Sequence, residues 1–216
     1  MRLDKYLVEN WYFSSRNQAQ EAILRGEVLI NWNAIRKFSY KVKDDDKIEI
    51  LSEWFPRWYY KLKYINEKTS LFEKNDLKIL DLWSSRGGFG LYAQKFARLL
   101  VWIEISKQFD KYLKEIFWEN IYFEDIFKIN IEKLKQRYWK FDIILCDLTL
   151  EPQISFEGLK RFVCLFEDRG KILWVHKGKD FDLNFWKGKF KTIWLEIVNV
   201  LPWYERQEFY LILKKI

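Results

Sequence analysis

The stretch Lys78 to Phe89, KILDLWSSRGGF, limits the fold more than any other part of the chain. Ile79, Leu80 and Leu82 form an apolar run of the kind found in a strand covered on both faces. Asp81 interrupts the run, and a loop of mostly small residues follows: Ser84, Ser85, Arg86, Gly87 and Gly88. A helical pattern opens at Phe89 and continues through Ala93, Phe96 and Leu99. Strand, glycine-rich turn and helix, in that order, hold a ligand at the carboxyl edge of an α/β sheet. Glycine lets the backbone approach the ligand, and the loop N–H groups donate to it. Taken alone, the stretch also suits an ordinary βα turn.

The units that follow decide between these readings. Leu99 to Ile103 is a second apolar strand and leads to Glu104, about 20 residues past the loop, where an acid takes ribose hydroxyls. Ile121 to Phe123 ends in Glu124-Asp125, and Phe141 to Cys146 ends at Asp147. The loop lacks the Walker lysine pattern, which disfavours a phosphate cradle. Several acids around a loop of little charge suit a ligand with hydroxyls and a positive centre, as S-adenosylmethionine has. Helical segments are predicted at Ser106 to Phe117, Ile131 to Tyr138 and Phe156 to Phe166. Further strands are predicted at Lys171 to Val175, ending near Lys177, within Phe190 to Val200, and at Phe209 to Lys214. The alternation predicts an α/β fold with a doubly wound, mostly parallel sheet.

Composition narrows the function classes. Of 216 residues, 38 are Lys or Arg and 31 Asp or Glu, a net charge of +7 that favours nucleic acid as partner. There is one histidine, His176, so histidine triads and histidine metal sites are disfavoured, and no metal is predicted. Cys146 and Cys164 both lie in apolar runs and are expected to be reduced core residues. No signal peptide or membrane-spanning run is apparent, which predicts a cytoplasmic protein without membrane partners.

Residues 1–53 carry a separate pattern. Leu3, Leu7 and Val8 share a helix face. Ser14-Ser15 caps a second helix in which Ala19, Ala22, Ile23 and Leu24 recur, and Arg25-Gly26 ends it. Short strands follow at Val28 to Ile30 and Ile48 to Ile50, with a turn at Asn31-Trp32-Asn33. The segments MRLDKYL, SSRNQAQEAILRGEVLIN and KVKDDDKIEI resemble the S4-like RNA-binding domain over its whole length. The resemblance implies that Arg2, Ser15, Arg16, Gln20 and Lys37 face RNA, Arg16 foremost. Such basic residues supply a salt-sensitive phosphate contribution to affinity.

After a junction and first helix at 54–76, the helix expected over Lys63 to Glu73, residues 77–216 resemble the FtsJ-like 2′-O-ribose methyltransferases. An S4-like domain followed by a Rossmann-like methyltransferase sheet is the arrangement of the TlyA (hemolysin A-like) rRNA methyltransferases. The junction PRWYYKL is similar to that family's SRGGxKL, LDLWSSRGGF to LDxGASTGGF, CDLT to CDxSF, GKILWVHK to GGxLVxLxKP, and RQEFYLI to REVYxVA. Pro152 and Gly178 depart from the pattern, and Trp stands where Gly belongs.

The resemblance implies an S-adenosylmethionine-dependent enzyme acting on ribosomal RNA or a ribosomal subunit. It implies a catalytic tetrad of Lys61, Asp147, Lys177 and Glu208. A ribose hydroxyl is a poor nucleophile, so alignment and proton removal carry the reaction. A lysine serves as base only when a neighbouring cation or desolvation makes it shed its proton, as Lys61 and Lys177 close together would. Lys177 is the expected base or orienting group, Asp147 holds it, Glu208 fixes the other lysine, and Lys61 is expected to meet RNA first. For the cofactor, Asp81, Trp83, Ser84, Gly87, Gly88 and Phe89 would surround the methionine end. Glu104 would take the ribose, Asp125 the adenine amine, and Ile126 or Phe127 the adenine ring. The other reading is a non-catalytic RNA-binding protein with a decayed methyltransferase domain, favoured by Trp83 and Trp102.

The tryptophans form a pattern of their own. The chain has 12 Trp and 8 Gly, where about 15 Gly are expected from the roughly 7% norm. Trp11, Trp32, Trp58, Trp83 and Trp102 each stand where glycine is expected, Trp32 in a hairpin turn and Trp83 in the cofactor loop. Their distribution predicts that most are glycine in the living protein, in a bacterium that reads the UGA codon as glycine.

Overall fold

The computed structural model describes residues 1–10, 12, 13, 15–51, 57–83, 87–107, 114, 120–203 and 207–216. The chain forms two compact units, Met1–Arg57 and Trp58–Ile216.

In the first unit, helices α1 (Leu3–Glu9) and α2 (Arg16–Arg25) accompany a three-stranded antiparallel sheet in the order β2-β1-β3. Its strands are β1 (Val28–Ile30), β2 (Asn33–Ala34) and β3 (Ile48–Ile50). Ser15 starts α2 by accepting the Gln18 N–H at 3.4 Å, satisfying one of the donors that a helix start leaves open. Ser14 lies outside the described residues. Leu3, Leu7, Phe13, Ala19, Ala22, Ile23, Val28 and Ile30 are buried together, and each large apolar side chain contributes about 1.5–3 kcal/mol. Leu24 points to solvent, because one helical turn cannot carry Ala22, Ile23 and Leu24 on the same face.

The second unit opens with α3 (Arg57–Thr69), which starts six residues earlier than predicted. A seven-stranded sheet follows in the order β6-β5-β4-β7-β8-β10-β9. Its strands are β4 (Leu77–Leu82), β5 (Ala97–Ile103), β6 (Ile121–Tyr122), β7 (Phe141–Cys146), β8 (Phe166–Lys177), β9 (Leu195–Trp203) and β10 (Glu208–Lys215). The first five in that order run parallel, and β10 runs antiparallel to both β8 and β9. Among the described residues the helices between them include α4 (Gly88–Ala93), α5 (Ile131–Tyr138), α6 (Pro152–Lys160) and α7 (Leu183–Lys191). Leu80, Leu82, Val101, Ile144, Cys146, Ile172 and Trp174 carry the sheet's part of the core.

Several predicted boundaries move. The helix expected to reach Leu99 stops at Ala93, and Phe96 stacks on Phe72 with ring centres 4.7 Å apart while β5 begins at Ala97. The helix expected over 156–166 lies at Pro152–Lys160, where proline suits the first turn because its missing N–H would have no partner there. Phe166 already belongs to β8. Cys164 is exposed, in a 3₁₀ turn at Val163–Leu165, and only Cys146 is a core thiol; burial raises it to about 12. Most of the helix expected over 106–117 lies outside the described residues.

Candidate active site

Parallel pairing ends three strands together. Leu82 lies opposite Ile103 on one side and Cys146 on the other, so Trp83, Glu104 and Asp147 leave the sheet at one edge. Strand β8 sets Trp174 against Cys146, which carries Lys177 beyond the same edge. Antiparallel β10 then places Glu208 directly across from Lys177. Gly178 turns the chain away with φ 125 and donates its N–H to Gln207 O at 2.9 Å; proline could do neither.

Four charged side chains meet there. Lys61 Nζ, from α3, lies 2.8 Å from Asp147 Oδ2 and 2.9 Å from Glu208 Oε2. Lys177 Nζ lies 2.8 Å from Asp147 Oδ1. Tyr210, two residues along β10 and hence on the same face, donates its hydroxyl to Glu208 Oε2 at 3.0 Å. Lys61 Nζ also sits 4.8 Å from the Trp58 ring centre and 4.9 Å from that of Tyr210. Burial pushes the Asp147 carboxyl up, but the Lys61 and Lys177 ammonium groups outweigh it and hold the carboxyl below its ordinary range. Lys61, expected to meet incoming RNA first, is instead 4% exposed, whereas Lys177 is 24% exposed. Its double ion pair draws Lys61 inward, a contact that sequence spacing cannot reveal.

The residues expected around a cofactor are spread along the same edge. Asp81 is buried in β4, and Gly87, φ 72, precedes α4. Glu104 is buried and accepts the Ser106 N–H at 2.7 Å. Asp125 accepts the Phe127 N–H at 2.9 Å. Ile126 is a core residue, while Phe127 is exposed. Ser84 lies outside the described residues. A cavity of about 60 Å³ is lined by Trp58, Trp83, Gly88, Phe89, Asp147, Thr149 and Lys177. Nucleoside-sized ligands need about 300 Å³ or more. The carboxylates suit S-adenosylmethionine, and Trp83 narrows the space beside them.

In the first unit, three of the predicted RNA-facing residues converge on one acid that sequence reading passed over. Arg2 Nε lies 3.0 Å from Asp4 Oδ1, while Arg16 and Gln20 donate to Asp4 Oδ2 at 2.9 and 2.7 Å. Asp4 is fully buried; burial raises its carboxyl, but these donors win and bring it to about 2. An acid beside Leu3 on the buried face of α1 was the available signal. Lys37 is exposed, and Ser15 serves as the cap of α2. Among the described residues no group of His, Cys, Asp or Glu could hold a metal ion, and no helix is long and apolar enough to cross a membrane.

Residues 1–48 match the S4 domain, and residues 54–189 match the FtsJ-like methyltransferase family. The chain belongs to the FtsJ-like methyltransferase family. Its sequence is 32% identical over 98 residues to Hemolysin A of Brachyspira hyodysenteriae, a match covering 41% of this chain and 38% of that protein. The chain thus spans about two fifths of the curated relative it matches. By structure it resembles a candidate hemolysin from Streptococcus thermophilus, with TM-score 0.58, 16% identity, and coverage of 100% of this chain and 88% of that one. It also resembles an S-adenosylmethionine-dependent methyltransferase from Clostridium acetobutylicum, with TM-score 0.53, 12% identity, and coverage of 73% and 90%. At such identities the likeness is one of fold, a Rossmann-like sheet shared with methyltransferases. Within the FtsJ-like family the cofactor is S-adenosylmethionine.

Proposed function

We propose that this protein is an RNA methyltransferase that modifies ribose 2′-hydroxyls of ribosomal RNA, free or in a ribosomal subunit. The observation that carries the reading is the Lys61–Asp147–Lys177 chain of ion pairs, with Glu208 closing on Lys61, at the edge beside Gly88 and Phe89. Lys177, the more exposed lysine, is the group that meets the acceptor hydroxyl and handles its proton. Asp147 holds the Lys177 amino group, which takes the hydroxyl proton as the neutral amine, from one side, and Lys61 holds Asp147 from the other. Lys61 is therefore a positioning residue, locked by Glu208 and by the rings of Trp58 and Tyr210. In the first unit, Arg16 and Arg2 carry positive charge on a rigid anchor, Asp4, and supply phosphate affinity.

The test is incubation of the protein from its own cells with unmodified ribosomal subunits and labelled S-adenosylmethionine, followed by mapping of ribose methylation. Label on ribose, lost in Lys177→Ala with cofactor affinity kept, supports the reading; label confined to bases refutes the 2′-hydroxyl as target. The cavity narrowed by Trp83 favours a second reading, an RNA-binding protein whose methyltransferase domain has lost its cofactor. Absence of any labelled product supports that one.

A further inference from the structure

Eight described residues other than glycine have a positive φ: Asn31, Trp32, Ser70, Asp76, Trp83, Trp139, Trp194 and Gln207. Asn and Asp are ordinary occupants of the left-handed region, while a bulky aromatic residue there is a steric outlier. Four of the eight are tryptophan, although tryptophan supplies 12 of the 216 residues.

Each of the four has its own local reason to need glycine. Asn31 and Trp32, φ 50 and 64, are the central pair of the β1–β2 hairpin, a two-residue turn that Asn-Gly favours. Trp139, φ 64 and ψ −93, follows the last residue of α5 and donates its N–H to Lys135 O at 2.7 Å, closing the helix with a backbone outside the regions open to bulky side chains. Trp194, φ 61, leaves the end of α7 and donates to Lys191 O at 3.2 Å. Trp83, φ 82, ends β4 by donating to Ile103 O at 2.8 Å and puts its ring in the wall of the narrow cavity. Trp32, Trp139 and Trp194 are 73%, 62% and 74% exposed, so their rings bury too little to offset the strain.

Other tryptophans are different. Trp174 lies in a regular strand, fully buried, and donates Nε1–H to Ser155 Oγ at 3.0 Å. Trp58 and Trp102, read from the sequence as glycine positions, have no left-handed backbone. Trp11 lies outside the described residues.

We infer that Trp32, Trp83, Trp139 and Trp194 are glycines in the protein as its own cell makes it, their codons being UGA read as glycine. Trp139 and Trp194 have no glycine signal in the sequence; the backbone alone identifies them. The consequence for Trp83, which rests on reading the cleft as a cofactor site, is that its ring is absent and the cleft between β4 and Lys177 is open.

Peptide mass spectrometry of the protein purified from its own cells, with the codons of its gene, is the test. Glycine at all four positions, with UGA codons, is expected; tryptophan or UGG at any of them overturns the inference. In a recombinant chain made with tryptophan, Trp83→Gly should tighten S-adenosylmethionine binding by about tenfold or more in calorimetry. Unchanged affinity overturns the open cleft. Trp32→Gly, Trp139→Gly and Trp194→Gly together should raise the melting temperature, and a fall overturns the backbone argument. A native protein with glycine at 83 that methylates no RNA would end the functional reading and leave this one standing.

Discussion

Lys61→Met keeps most of the length and packing of the side chain and removes its charge. Asp147 is then left with Lys177, while Glu208, 8% exposed, keeps the Tyr210 hydroxyl among the described residues. Removing one partner of a buried pair leaves an uncompensated charge and costs about 3–5 kcal/mol. The ring contacts to Trp58 and Tyr210 add about 0.5–1 kcal/mol each. For a domain this size each kcal/mol shifts the melting temperature by about 2–4 °C, so a fall of roughly 8–28 °C is expected. The pH profile should move as well. The folded Asp147 binds its proton less readily than the unfolded one, so it contributes stability above about pH 3.9, lost as pH falls through the lower folded value. Without Lys61 the folded value rises toward the unfolded one, so that the acid loss becomes smaller and ends at a higher pH. Calorimetry of the full chain from pH 3 to 8, with Lys61→Met, Glu208→Gln and the double variant, reads both effects. A fall under about 1 kcal/mol, as for an exposed pair, would refute the buried network.

Three further outcomes follow from the same geometry. Asp4→Asn should cost about 1–2 kcal/mol at neutral pH, discounted because Arg2 and Arg16 are half exposed. It should also remove the stability that the parent loses between about pH 3.9 and 2, as denaturation in the two backgrounds will show. His176 is buried edge-on among Trp174, Phe181, Trp186 and Phe209, and burial lowers its pKa. It binds fewer protons folded than unfolded, so the parent loses stability as pH drops below about 6.5; His176→Phe should flatten that slope, and equal slopes would refute it. Glu104→Gln keeps an acceptor for the Ser106 N–H, so the fold should hold while cofactor affinity, in protein with glycine at position 83, falls about tenfold by equilibrium dialysis.

What the sequence makes legible is what local pattern controls. Phe141–Cys146 is strand and Ile131–Tyr138 helix, as predicted, and the structure adds the Asn130 side chain as the helix cap. Helix α7 escaped notice because only Trp186 and Phe190 of it are buried, with lysines on either side of Phe190 in the sequence; the usable sign was Asp182, which accepts the N–H groups of Asn184 and Phe185. Phe96 fits the helical period of α4 yet lies past its end, where packing on Phe72 overrides local propensity. The depth of Lys61, the anchoring role of Asp4 and the backbone of Trp139 and Trp194 depend on contacts or dihedral angles that spacing does not encode. Trp32 and Trp83 were readable because a hairpin turn and a ligand loop each have a residue signature.

Strand β10 follows β9 in chain order but is threaded between β8 and β9. During synthesis these two cannot close against one another, and the gap waits for residues 208–215. Glu208 is the first residue of the strand that fills it, so the ion-pair chain gains its final carboxylate in the same event that joins β9 to the rest of the sheet. A ribosome-bound chain stopped before residue 208 should therefore carry a formed β4-to-β8 core, protected from hydrogen exchange, and an unassembled charge cluster. Folding of the outer sheet and completion of the charge cluster are one step, and no partly made copy carries the full set of ion pairs.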